Sequence, residues 1–184
     1  MDSDLRLEIS GTFPTEQAVE LLEVARKIRD KALRFAQMKL PLIQQDQKLD
    51  DLFHQCHFYT DFKHGLIDSI CRTIREFDEN AIESYCFDQD ANPDCQSGDD
   101  VPLDRTINII LVVESKTAGL QAFITSLDRA LTQVLKEFPI PDIASYDSLL
   151  NIIPVTQQDI EKRRGYAALL SSVYVPALKV WPSS

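Results

Sequence analysis

The hydrophobic pattern of the first forty residues has two successive periods. Leu5, Leu7 and Ile9 alternate with polar residues, which is typical of a half-buried strand. From about Pro14 to Met38, apolar residues recur at helical spacing, and acidic residues precede the basic ones. That order complements the helix dipole, whose positive end lies at the N-terminus. The pattern therefore predicts a first strand followed by one long helix.

A second helical zone is predicted from about Gln44 to Phe77, where apolar residues again form one stripe. Pro41 separates it from the first helix, because the residue before a proline is displaced from the helical region. Gly65 and the segment FYTD interrupt the pattern. We expect two helices here, or one helix with a bend.

The remaining sequence predicts strands around a third helix. Residues 81–87, 106–114 and 148–155 are rich in β-branched and apolar side chains, and an amphipathic helix is predicted from Thr117 to Phe138. The last two strands and this helix form a βαβ unit, with a right-handed crossover if the strands are parallel.

The C-terminal part predicts a helix and an edge strand. Thr156 is expected to cap a helix that carries QQDIEKRRGYAALLSS. The closing segment VYVPALKVW alternates, and Pro176 restricts it to the edge of a sheet because proline cannot donate a ladder hydrogen bond.

These elements predict a single α+β domain over residues 1–184. An N-terminal helical layer packs on a mixed sheet of four or five strands, with the βαβ unit in the C-terminal half. A chain of 184 residues is long enough to bury its own core. Residues 88–105 are acidic and are broken by prolines and a glycine, which predicts a mobile acidic loop.

Composition limits the partners of the chain. Lysine and arginine number 19 against 29 aspartates and glutamates, giving a net charge of −10 that repels phosphate backbones and anionic lipids. Neither a signal core nor a run long enough to span a bilayer is visible. We expect no nucleic acid partner, no membrane partner and a cytoplasmic location. The four cysteines, Cys56, Cys71, Cys86 and Cys95, include no C-x-x-C pair and are expected to be free thiols.

Common catalytic signatures are missing. The five glycines lie far apart, whereas phosphate-binding loops need several close together so that backbone amides can approach the phosphate. No serine sits between close glycines as in a nucleophile elbow. The leading hypothesis is a non-catalytic cytoplasmic protein that acts through contacts with a protein partner or with a second copy of itself.

The histidines give a first alternative, a metal-binding protein or metal-dependent enzyme. On a continuous helix, His54 and His57 are one turn apart and Asp61 lies one turn further, so together they could chelate a divalent transition metal ion. His64 lies two turns beyond His57, too far along the axis to join them. A solvated polar helix face explains the same residues without a metal, and no other cofactor is expected.

The βαβ unit gives a second alternative, a small-molecule enzyme or sensor. Open α/β sheets bind ligands beyond the carboxyl ends of their strands. Ser115, Lys116, Thr117 and Thr156 follow the two predicted strands of the unit and would line such a pocket. Simple helix capping explains these residues equally well.

Overall fold

The computed structural model describes residues 15–91, 104–174 and 176–182. The helices and strands of these ranges, in chain order, are α1 (Thr15–Met38), α2 (Leu49–Phe53), α3 (Cys56–Phe77), β1 (Ala81–Cys86), β2 (Ile107–Val113), α4 (Ala118–Leu135), β3 (Leu150–Thr156), α5 (Gln157–Glu161) and β4 (Leu178–Trp181). This is an α+β domain with its long helices ahead of a four-stranded sheet, and the predicted fold class is confirmed.

Two sequence predictions fall partly or wholly outside the described residues. The strand predicted at Leu5, Leu7 and Ile9 lies before them, and most of the predicted acidic loop lies between residues 91 and 104. The two ends of that loop are described, and they combine the exposed residues Asp88 and Asp104 with buried ones. Asp90 and Arg105 are each only 3% exposed.

The four strands form one mixed sheet in the order β3-β2-β1-β4. β2 and β3 are parallel, as predicted, with Ile107 opposite Leu150 at the start of the ladder. β1 is antiparallel to both of its neighbours, β2 and β4. β4 is therefore an edge strand, as predicted from Pro176 in the sequence before it.

β2 is the centre of the fold because both of its faces are covered. Ile109 and Leu111 belong to the larger buried cluster, which α1, α3 and α4 complete. Ile110 and Val112 belong to a smaller cluster on the other face, with Ala167 from the C-terminal segment. Burial of one such side chain stabilises the fold by about 1.5–3 kcal/mol, so an unbroken apolar strand suits this position.

The helix predicted after Thr156 is shorter than expected. Thr156 and Asp159 form a reciprocal capping box, as the sequence suggested, but α5 ends at Glu161. Arg163 and Gly165 then adopt positive φ angles of 48° and 51°, which interrupt a right-handed helix. A 3-10 helix over Gly165–Ser171 follows and covers the second face of the sheet.

The second helical zone is two helices, but the break is not at Gly65. It falls at His54 and Gln55, where Gln55 is extended with φ −91° and ψ 122°. Gly65 is helical, and it permits close contact: a Cβ atom built on it would lie 2.8 Å from the Ala32 Cα atom of α1. The glycine therefore marks where the two long helices touch, since no side chain fits between them.

The cysteines differ from the sequence expectation at one position. Cys71 and Cys86 are free and buried, as predicted. Cys56 is disulfide-bonded, so the prediction of a free thiol is wrong for this residue. Cys95 lies outside the described residues.

Among the described residues, no helix has both the length and the apolar character that crossing a membrane requires.

Candidate functional site

The residues of the metal hypothesis lie where α2 meets α3. His54 follows the last residue of α2, and its Nδ1 donates to the Asp50 carbonyl at 2.9 Å. The extended backbone at Gln55 separates His54 from His57, so the continuous helix assumed from the sequence does not exist. The Asp61 carboxylate forms an ion pair with the Lys39 ammonium, with 2.8 Å between Oδ1 and Nζ. In the part of the chain that the structure describes, no group of three or more His, Cys, Asp or Glu side chains is placed to hold a metal ion.

The residues of the small-molecule hypothesis do meet at the carboxyl ends of β2 and β3. Ser115, Lys116 and Thr156 line a shallow depression of about 470 Å³. Thr117 is not part of its lining and instead caps α4, accepting from the Leu120 amide at 3.1 Å. Lys116 pairs with the Asp159 carboxylate at 2.8 Å, and together with the Thr156 cap this pair holds the pKa of Asp159 at about 2. The polar groups of the depression are therefore engaged with one another.

A deeper cleft lies between α1, α3 and β4. Its volume is about 510 Å³, and we call it the basic cleft. Each of these three elements contributes one cation to the lining, and α1 and β4 also contribute apolar side chains. The lining includes Lys31 and Phe35 of α1, His64, Asp68 and Arg72 of α3, and Leu178, Lys179 and Val180 of β4.

The contact between Gly65 and Ala32 determines the shape of the basic cleft. Gly65 itself lines the cleft, and its lack of a side chain lets α1 approach the α3 backbone. Lys31 precedes Ala32 directly, and Phe35 lies one turn further along α1. Both residues are therefore near this contact, and both line the cleft. The apolar side chains of the cleft remain partly in solvent: Phe35 is 40% exposed and Leu178 is 53% exposed.

The charge of the basic cleft is opposite to that of the whole chain. Three cations line it against one carboxylate, that of Asp68, in a chain of net charge −10. Arg72 pairs with Asp68 at 2.9 Å, and Lys179 pairs with Glu83 at 2.8 Å. The bond from Lys179, with that from Tyr85, lowers the pKa of Glu83. Because these pairs are solvent-exposed, each contributes only about 0–1 kcal/mol and can be exchanged for a pair with another molecule.

A buried ion pair lies on α3 beside the basic cleft. The Lys63 ammonium is 2.5 Å from the Asp90 carboxylate, and the two side chains are 5% and 1% exposed. Asp90 also accepts from the Asn108 amide of β2 at 2.7 Å, and Lys63 donates to the Asp104 carbonyl at 3.0 Å. Burial raises the pKa of Asp90, while the Lys63 ammonium acts to lower it. The pair ties residues on both sides of the 92–103 segment to α3 and β2.

Arg105 makes a second buried anchor near the same segment. Its guanidinium lies 4.6 Å from the centre of the Tyr59 ring, and its Nε donates to the Pro141 carbonyl at 2.8 Å. Stacking on an aromatic ring and a hydrogen bond together compensate for the loss of hydration of a buried cation. Lys63 and Arg105 therefore have structural partners that explain their burial.

Cys86 and His64 converge on one backbone carbonyl at the floor of the basic cleft. The Cys86 thiol donates to the Asp90 carbonyl at 3.3 Å, and the His64 Nε2 nitrogen donates to the same oxygen at 3.2 Å. A cysteine nucleophile must be a thiolate, which requires a lowered pKa. Burial, with the charge of Asp90, instead raises the pKa of Cys86 to about 12. The pair therefore lacks the activation that a Cys-His nucleophile needs.

Sequence reasoning missed the Lys63 pair and the basic cleft. The signal for the pair was visible, because Lys63 falls on the apolar stripe of its helix, between Tyr59 and Ile67, and a lysine there requires a buried partner. No local pattern could indicate the cleft. Its lining comes from α1, α3 and β4, which are distant in sequence.

The chain was also compared with known proteins. No family model, no curated protein sequence and no solved structure matches it.

Proposed function

We propose that this chain is a non-catalytic protein that acts through protein contacts, and that the basic cleft is its docking surface. The observation that carries the proposal is the lining of this cleft. Lys31, Arg72 and Lys179 line the cleft together with the exposed side chains of Phe35 and Leu178, on a chain that is otherwise strongly acidic. Exposed apolar surface rimmed by charge is typical of protein interaction sites.

The state of the reactive side chains also supports a non-catalytic role. The Cys86 thiol in the cleft has a raised pKa, so it is protonated near neutral pH. The Lys63 ammonium is almost fully buried and is engaged by Asp90 and by the Asp104 carbonyl. A general base or nucleophile must be both activated and accessible, and Cys86 is not activated while Lys63 is not accessible.

Charge also bears on the nature of the partner. A cleft of positive sign attracts an acidic surface and increases its association rate, while the negative remainder of the chain repels nucleic acid and anionic membrane. The partner is therefore a protein surface that carries carboxylates beside apolar side chains. A second copy of this chain is the alternative partner.

We place the protein in the cytoplasm as part of the same proposal. The free thiols of Cys71 and Cys86 support a reducing compartment, whereas the disulfide at Cys56 is more typical of an oxidising one. Cell fractionation with immunodetection of the native chain decides between them. We expect the chain in the cytosolic fraction. Its recovery from the medium or from a membrane-bounded compartment would contradict this location.

Site-specific photo-crosslinking tests the docking surface. A photoreactive amino acid replaces Leu178 or Phe35 in the cleft, and Tyr166 serves as the control because it is 48% exposed and lies beside Phe87 on the other face of the sheet. We expect both cleft positions to form the same covalent adduct with one protein in cells, and Tyr166 to form none. Adducts that are equal at all three positions, or absent from the cleft positions, would contradict the proposal.

A small-molecule function at the ends of β2 and β3 is a second candidate. The observation that favours it is that Ser115, Lys116 and Thr156 line one depression. A thermal-shift screen against small anionic metabolites tests it with two variants. Stabilisation that is lost in Lys116→Ala and kept in Arg72→Glu would support this second candidate over the basic cleft.

A further inference from the structure

We propose that the basic cleft takes an extended acidic segment of the partner protein, which adds as a fifth strand along the free edge of β4. This inference rests on the proposed function, since it names the kind of segment that the docking surface binds. It is carried by the edge of β4 that no described strand pairs with, by the three cations that line the cleft and by the exposed apolar side chains of Phe35 and Leu178.

As far as the structure describes the chain, the backbone of β4 is paired on one side only. Within the described residues, β4 forms its ladder with β1 through Tyr85 opposite Lys179 and Cys86 opposite Leu178, and it is the last strand of the sheet. The other edge of such a strand presents free N–H and C=O groups, which are a template for an additional strand. Pro176 and Pro182 bracket β4, so the added strand has about four residues of ladder.

The side chains around this edge select an acidic segment. Lys179 lies on β4 itself, while Arg72 and Lys31 approach from α3 and α1. Successive side chains of a strand point to opposite faces, so a segment that alternates acidic and apolar residues presents one type to each face. On β4, Leu178 is opposite Cys86 on the helix-covered face, whereas Lys179 is opposite Tyr85 on the other face. Carboxylates on that other face can replace Glu83 as the partner of Lys179, because this pair is exposed, while the apolar residues lie beside Leu178.

A second copy of the chain fits this edge less well. Two β4 strands paired about a twofold axis would bring the two Lys179 side chains towards each other, and like charges on adjacent strands are destabilising. Two chains of net charge −10 also repel each other. An acidic segment of a different protein avoids the first conflict, because it supplies carboxylates where a second β4 would supply lysine.

Synthetic peptides and the full chain provide the test. The probe is a nine-residue peptide with blocked ends that alternates glutamate and valine, and the control peptide has lysine in place of glutamate. We expect the acidic peptide to shift the backbone amide resonances of Leu178–Trp181 and Arg72 and to slow amide exchange in β4. The lysine peptide should leave these resonances unchanged. Shifts that lie elsewhere, are equal for both peptides or are absent at millimolar concentration would overturn the inference.

Charge-reversed variants show whether the cations of the cleft hold the peptide. Arg72→Glu/Lys179→Glu should bind the acidic peptide about tenfold more weakly than the native chain, because reversed rim charges repel it. Lys136→Glu/Lys162→Glu changes the net charge of the chain equally at exposed positions outside the cleft and should bind within about twofold of native. Equal losses in the two variants would overturn the inference.

Backbone methylation separates strand addition from side-chain binding. N-methyl groups at alternate residues of the acidic peptide remove N–H donors along one edge only, so two peptides methylated at odd or even positions differ in which edge they block. We expect one of them to lose binding and the other to keep it. If both bind as well as the unmethylated peptide, strand addition is wrong.

The crosslinking experiment makes the two possible failures distinguishable. If Leu178 still captures a protein in cells while no acidic peptide binds β4, the inference on strand addition fails and the proposed function stands. If neither experiment gives a contact at the cleft, both fail.

Discussion

Gly65 of α3 lies so close to Ala32 of α1 that a Cβ atom on the glycine would stand 2.8 Å from the Ala32 Cα atom and 3.2 Å from its carbonyl oxygen. Both of these atoms belong to the backbone, so neither can move aside as a flexible side chain would. Protein interiors are packed to crystal-like density, and a methyl group added at such a contact must push the helices apart. The contact therefore determines the distance between α1 and α3, and with it the width of the basic cleft.

The substitution Gly65→Ala should destabilise the protein by about 1–3 kcal/mol, because overpacking forces the two backbones apart. Gly119→Ala is the matched control, since Gly119 is also helical and a Cβ atom built there meets nothing within 4 Å. We expect the control to leave stability unchanged or to raise it by up to about 1 kcal/mol through helix propensity. Urea unfolding of the three proteins measures both effects. A Gly65→Ala protein as stable as the control would show that the contact is not tight.

The Lys63–Asp90 pair should be essential to the fold. Removing one partner leaves a buried charge without compensation, so Lys63→Met or Asp90→Asn should lower the free energy of unfolding by about 3–5 kcal/mol. Arg26→Gln breaks the exposed pair of Arg26 with Glu23 and should cost less than about 1 kcal/mol. Thermal melts and urea titrations compare the variants. Similar losses for the buried and the exposed pair would contradict the structure.

Added Zn²⁺ or Ni²⁺ should not stabilise the native protein through His54 and His57. Gln55 breaks the helix between these residues, and Lys39 occupies the Asp61 carboxylate. Thermal melts of the native protein and of His54→Gln/His57→Gln, each with metal and with chelator, should show no difference that depends on the histidines. A gain of about 2.7 kcal/mol at a hundredfold excess of metal over its dissociation constant, present only in the native protein, would instead establish a metal site.

Cys71 and Cys86 should react very slowly with iodoacetamide in the native protein. Burial raises the pKa of each thiol to about 12, so at pH 8 only about one molecule in ten thousand carries the reactive thiolate. We expect alkylation at these two cysteines to require unfolding, and mass spectrometry of proteolytic fragments to place the label. Fast labelling of Cys86 without loss of structure would mean that the thiol in the cleft is activated after all.

The fold could be predicted largely from the sequence because local periodicity carries most of its information. The apolar stripe of α1 predicts a helix, and the unbroken apolar run of β2 predicts a buried strand. The parallel pairing of β2 with β3 follows from the helix between them. The errors came from tertiary packing. Gly65 was expected to interrupt a helix, but contact with α1 keeps it helical, and the backbone at Arg163 ended α5 early although its cap was identified correctly.

The candidate site was far less predictable for a physical reason. The prediction of a metal site at His54 and His57 assumed a continuous helix, which the extended backbone at Gln55 interrupts. The basic cleft joins Lys31, Arg72 and Lys179 through folding alone, and no periodicity connects positions so distant in the chain. Ser115, Lys116 and Thr156 lie together at the ends of β2 and β3, but Thr117 does not line the depression, and capping already uses Thr117 and Thr156.

The most direct test of docking at the basic cleft is the dissociation constant of the crosslinked partner for two charge-reversed variants. Arg72→Glu/Lys179→Glu reverses charge inside the cleft, and Lys136→Glu/Lys162→Glu reverses the same number of charges outside it. With both variants folded, as judged by their melting curves, binding should weaken by about tenfold or more for the cleft variant and stay within about twofold for the control. Equal weakening, or none in the cleft variant, would contradict docking at this surface.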